Sequence, residues 1–158
     1  MKQRYKTCLS HSDWLELKNQ QTPEPLANCY SDVFGGFLEQ VEWNYWCTFT
    51  TKWELTLPSA RRMAEKIYHK WCTVLPQGDL FQVENPAMFW ACEPFDLRNG
   101  YHIHALMRTG ADAKQIYTWA KKKYGRALVL KYEKGKGAHT YCGKYITKQL
   151  SDYDLHVC

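Results

Sequence analysis

The chain has 158 residues, 45% hydrophobic, 15% aromatic and 23% charged, enough for the core of one domain and against two domains or a long disordered tail. No run approaches the roughly 18 consecutive apolar residues of a membrane span, and Met1-Lys2-Gln3-Arg4-Tyr5-Lys6 leads into polar sequence without a signal-peptide core, so a soluble, cytoplasmic protein with no membrane partner is expected. Seven cysteines without a Cys-x-x-Cys pair signal neither a disulfide framework nor a thiolate zinc site, and the net charge of +5 is modest.

Residues 1–40 show weak periodicity, broken by Thr22-Pro23-Glu24-Pro25 and Gly35-Gly36, and read as an N-terminal extension with no assignable chemistry. From Val41, the alternation of Val41, Trp43, Tyr45, Cys47 and Phe49 with more polar neighbours predicts a strand with one buried face. Ala60, Met63, Ala64, Ile67, Trp71 and Leu75 recur at helical spacing after Pro58 and before Pro76, predicting an amphipathic helix. Met88–Glu93 and Tyr101–Arg108 are strand-like runs on either side of a segment ending in Asn99-Gly100, which predicts an antiparallel hairpin.

Asp112 is the expected N-cap of a second helix carrying Ala113, Ile116, Trp119 and Ala120 on one face, with Gly125 as its stop. Arg126–Tyr132 reads as another strand and, after Gly135-Lys136-Gly137, Ala138 to about Leu150 as a last helix. The order predicts an α+β domain, a central antiparallel sheet of the split βαβ, ferredoxin- or RRM-like kind, with helices on one face and the active site on the sheet. Residues 151–158 read as a C-terminal tail.

Three groups of residues carry possible chemistry. His102 and His104 are two apart on a strand, so both imidazoles leave the same face. Glu93, across the hairpin, could complete a triad for a divalent ion with open positions, although a one-residue slip would turn it to the wrong face. On the last helix Tyr141, Lys144, Tyr145 and Lys148 share one stripe. A phenol with a pKa near 10 needs a nearby cation and a metal on the phosphate to attack phosphorus. Thr48, Thr50 and Thr51 end the first strand as a hydroxyl-rich patch suited to a DNA backbone. The stretch Lys121–Lys148 holds nine Lys/Arg against the single acid Glu133, and a basic run with interleaved tyrosines points to a polyanionic partner.

Taken in order, these motifs resemble the HUH endonucleases, the His-hydrophobic-His superfamily of rolling-circle replication initiators. Cys47-Thr48-Phe49-Thr50-Thr51 is similar to the family's first motif and His102-Ile103-His104 to its second, with Glu93 where many members keep an acidic ligand. Tyr-x-x-Lys occurs twice in Tyr141-Cys142-Gly143-Lys144-Tyr145-Ile146-Thr147-Lys148, a pattern similar to the microvirus-type phage initiators. The resemblance covers residues 41–150. Conjugative relaxases place their tyrosine before the histidines, whereas HUH transposases share the order seen here.

The resemblance implies a nickase that cuts single-stranded or hairpin DNA at an origin and rejoins strands through a 5′-phosphotyrosine. Mg²⁺ or Mn²⁺ would sit on His102, His104 and Glu93, with Tyr141 or Tyr145 as nucleophile and Lys144 and Lys148 beside them. Lys121, Lys122, Lys123, Arg126, Lys134 and Lys136 would track the DNA backbone. No Gly-x-x-x-x-Gly-Lys-Ser/Thr loop exists, so a separate helicase and a polymerase are expected partners, and a phage- or plasmid-encoded protein would work in the host cytoplasm. The alternatives are a transposase of a mobile element and a noncatalytic single-strand binder whose histidines and tyrosines stack on bases.

Overall fold

An alternating run of aromatic and polar residues makes the first strand, and the computed structural model, which describes residue 33, residues 35–72 and 85–135 and the backbone of 153–157, runs it as β1 over Tyr45–Thr51. Cys47 and Phe49 are buried on one face, while Trp46, Thr48 and Thr50 are half-buried on the other. Helix α1 (Leu57–Trp71) has Pro58 in its first turn, where a missing N–H leaves no hydrogen bond unmade, and buries Ala60, Met63, Ala64, Ile67 and Tyr68.

β2 (Ala87–Pro94) and β3 (Tyr101–Arg108) form the expected antiparallel hairpin. Its turn ends at Gly100, with φ of 99°; a Cβ there would meet the Leu55 backbone nitrogen at 3.0 Å, so both the left-handed φ and the close approach require glycine.

Helix α2 (Ala113–Tyr124) starts at a capping box, the Asp112 side chain accepting from the Lys114 N–H at 2.8 Å and the Gln115 side chain accepting from the Asp112 N–H. Gly125 ends it and opens β4 (Gly125–Lys131), and β5 (Tyr153–Val157) completes the set.

The sheet order is β4-β1-β3-β2-β5, every pair antiparallel. With β3 between β1 and β2, the split βαβ arrangement and the ferredoxin-like α+β class are as the sequence predicts. Helices α1 and α2 cover one face over a core that includes Phe49, Ile67, Trp90, Ile103, Met107 and Ile116. No helix among the described residues is long and apolar enough to cross a membrane.

Three boundaries differ from expectation. The first strand starts at Tyr45 rather than Val41 because the Val41 N–H is spent on the Leu38 carbonyl, in the turn that ends a helical stretch through residues 35–39. Trp43 therefore does not share a face with Cys47 and Phe49. Its indole N–H donates to the Leu38 carbonyl at 2.7 Å, and Leu38 and Trp43 pack on Ala87, Phe89, Ala91 and Leu106 on the opposite face of the sheet. The residues just before position 41 thus belong to the domain. Residues 153–157, expected as tail, instead form an edge strand pairing Tyr153–Val157 with Ala91–Ala87.

Leu38→Ala should lower unfolding free energy in urea by about 2–5 kcal/mol, the range for truncating a buried leucine; a change within about 0.5 kcal/mol would mark residues 35–43 as a surface appendage.

Candidate metal centre on the open sheet face

Period-two alternation delivers the even-numbered residues of β1 and β3, the odd-numbered residues of β2 and the even-numbered residues of β4 to the face that the helices leave uncovered. Residues 35–43 occupy its end nearest Phe89 and Leu106. At the other end, β2 pairs with β3 so that Glu93 lies opposite His102 and Ala91 opposite His104.

In this register one carboxylate oxygen receives both histidines. His102 Nε2 is 2.5 Å and His104 Nε2 2.7 Å from Glu93 Oε2. The His102 and Glu93 side chains are 17% and 23% exposed and His104 only 6%, so the cluster is backed by protein and open on one side. The imidazoles meet edge to face, with centroids 4.7 Å apart.

Each ring is braced. His104 pairs with Thr48 of β1, whose Oγ1 lies 3.1 Å from its Nδ1, and Trp46 stacks on it at 6.1 Å between centroids. When Thr48 accepts from Nδ1–H, Nε2 keeps its lone pair for a metal, the usual outer contact that sets a ligand histidine's tautomer. His102 meets the Phe95 ring edge to face at 4.8 Å, and Phe95 carries the Arg98 guanidinium at 3.8 Å. Burial pulls the His104 pKa below its ordinary value, more strongly than the hydrogen bond to Glu93 raises it, and the neighbouring His102 lowers it further. The neutral imidazole is the form a metal needs.

The donor atoms of Glu93, His102 and His104 all lie within 4.8 Å of one another. Two imidazole nitrogens and one carboxylate oxygen, with one side left open, suit a divalent ion that keeps positions for water or substrate. A cation among them would also separate a carboxylate lone pair from the imidazole lone pair that Thr48 leaves facing it. The cluster could hold a divalent metal.

The other expected site residues are distributed differently. Thr48, Thr50 and Arg126 share the open face with the cluster, but Thr48 has its hydroxyl on His104. Thr51, expected to touch DNA, points the other way by strand parity; it is 2% exposed and its hydroxyl donates to the Trp53 carbonyl at 2.7 Å. Lys121, Lys122 and Lys123 form the exposed last turn of α2 on the helix side, where they face the negative end of the helix dipole. Lys121 lies over Tyr117 and Lys123 over Trp119 and Tyr124. Lys134 is exposed beyond β4. Among the described residues the basic run is thus divided between two sides of the sheet. Tyr141, Lys144, Tyr145, Lys148 and Lys136 lie outside the described residues.

Sequence reasoning missed Trp46, Phe95 and Arg98. Trp46 was legible as the residue two before Thr48 on the same face, whereas Phe95 and Arg98 sit in a loop that periodicity does not reach. Comparison of the chain with models of protein families, with curated proteins and with solved structures finds no match. Fold and site together define a ferredoxin-like α+β protein whose open sheet face carries a two-histidine, one-glutamate cluster able to hold a divalent metal.

Calorimetric titration with Mn²⁺ should show one site that is abolished in a His102→Ala/His104→Ala double variant. Affinity should fall as pH is lowered, because protons compete for both imidazoles. Thr48→Val, which keeps shape but removes the Nδ1 partner, should weaken binding by about 10–100-fold; unchanged affinity would show that Thr48 does not orient the ligand.

Proposed function

We propose that the protein is a metal-dependent nickase and strand transferase for single-stranded or hairpin DNA, of the HUH kind, which initiates rolling-circle replication through a 5′-phosphotyrosine. The observation that carries this reading is the convergence of His102 and His104 Nε2 on Glu93 Oε2, on the sheet face that the helices leave uncovered. Mg²⁺ or Mn²⁺ held there would supply Lewis-acid stabilisation of the charge that develops on the scissile phosphate.

The nucleophile is the phenol of Tyr141 or Tyr145. Its oxygen bonds to phosphorus, the bond from phosphorus to the 3′-oxygen breaks, and the phenol proton is lost as the leaving oxygen gains one. The products are a 5′-phosphotyrosine and a free 3′-hydroxyl that a polymerase can extend. The reverse attack by a 3′-hydroxyl reseals a strand and frees the phenol. Lys144 and Lys148 follow the two tyrosines by three residues each and favour the phenolate.

One feature supports this assignment of the nucleophile. Burial raises the phenol pKa values of Tyr45, Tyr101 and Tyr124, that of Tyr101 to about 12, and all three pack against the helix-side core, away from the cluster.

Incubation with Mn²⁺ and an end-labelled random single-stranded DNA pool should give a covalent protein-DNA band. The band should weaken or vanish in Tyr141→Phe and Tyr145→Phe and be absent in the double variant. Tight metal-independent binding without any adduct would instead favour the noncatalytic binder.

A further inference from the structure

We propose that the groove beside His102, at the end of the sheet, seats a phosphodiester that neighbours the one being cut, with Arg126 and Lys52 as its ligands. The proposal rests on the single-stranded DNA reading and names where that strand runs. The groove has a volume of about 610 Å³ and lies between the loop after β2 and the start of β4. Three cations line it, Lys52, Arg98 and Arg126, against one acid, Asp96.

Arg98 is the built part of this surface. Its guanidinium stacks on Phe95 at 3.8 Å and donates to the Thr51 carbonyl at 3.0 Å, so one positive group is fixed before anything binds. Phe95 in turn abuts His102, and the groove and the metal cluster therefore share a wall. Lys52 depends on Gly125: a Cβ at that position would come within 2.5 Å of Lys52 Cγ. The bare backbone at the start of β4 is what lets Lys52 fold over it and into the groove.

Arg126 pairs with Thr50 of β1, and β1 is flanked on its other side by β3, which carries His102. Two strand spacings, about 10 Å, separate them, close enough for one short stretch of nucleic acid to meet both. An arginine fork and a lysine point charge are the side chains that bind phosphate. At the rim, Leu97 is 98% exposed, an apolar surface for a base that a free inorganic anion would leave in water. The combination fits a nucleotide strand.

Fluorescence anisotropy of a fluorescein-labelled oligo-dT across a salt series, in EDTA, isolates binding from chemistry. Lys52→Gln/Arg126→Gln should bind about tenfold more weakly at low salt and flatten the plot of log K against log salt by about 0.7, the contribution of one neutralised phosphate on a single strand. The charge-matched control is Arg62→Gln/Lys66→Gln on the exposed side of α1, which should retain the wild-type slope. An unchanged slope in the groove variant, or an equal loss in the control, overturns the proposal. The covalent assay separates the two readings. Weakened binding in the groove variant while the wild type forms no adduct upholds the groove and sinks the nickase; a normal adduct with unaltered groove-variant binding does the reverse.

Discussion

The register between β2 and β3 is the constraint on which the rest depends. Side chains alternate with a period of two, so a slip of one residue would send Glu93 into the helix-side core, where Trp90 and Cys92 are packed, and bring those two to the open face. The hydrophobic pattern thus enforces the polar site. The turn reinforces it: the Phe95 N–H donates to the Gly100 carbonyl and the Tyr101 N–H to the Leu55 carbonyl, each at 3.0 Å. The first closes the turn and the second clamps the hairpin to the chain entering α1. Burying an unpaired carboxylate costs far more than any of them contributes, so the correct register wins by a wide margin.

The sheet also acts as a partition. On the helix side, interdigitated apolar residues hold the layers together, and burial there keeps phenols protonated. On the other side, residues 35–43 cover one end with apolar contacts and leave the other to charged and titratable groups. The same central strands serve both sides, Cys47 and Phe49 inward and Thr48 outward, Ile103 inward and His104 outward. Rigidity needed for the core is thereby lent to the site, and His104 is held between Thr48, Trp46 and Glu93 with little freedom to turn.

What could be read from the sequence follows from how local its causes are. The His102-Ile103-His104 pair, the hairpin around Asn99-Gly100 and the Asp112 cap of α2 all depend on residues close in the chain, and each stands where the pattern put it. Trp43 departs from expectation because alternation does not extend back past the start of β1, whereas Thr51 departs because alternation does hold there and turns it inward, away from Thr48 and Thr50. β5 escapes the sequence reading although Tyr153, Leu155 and Val157 alternate with Asp154 and His156, because a run of five residues is too short for periodicity alone to decide; pairing with β2 fixes it. Phe95 and Arg98 were invisible for a different reason: their importance comes from what a loop folds against.

The sequence separations within the centre have a consequence for how it comes into being. Glu93 is 9 residues from His102 and 11 from His104, so the ligands belong to one hairpin, a unit that forms in about 1–10 μs. Thr48 is 56 residues from His104 and reaches it only when β1 has docked along β3, a non-local step that must first overcome loop-closure entropy. Gathering the ligands is a local event and orienting them a global one. The early hairpin would hold a loosely held imidazole pair, and the finished tautomer would report that the central strands have come together.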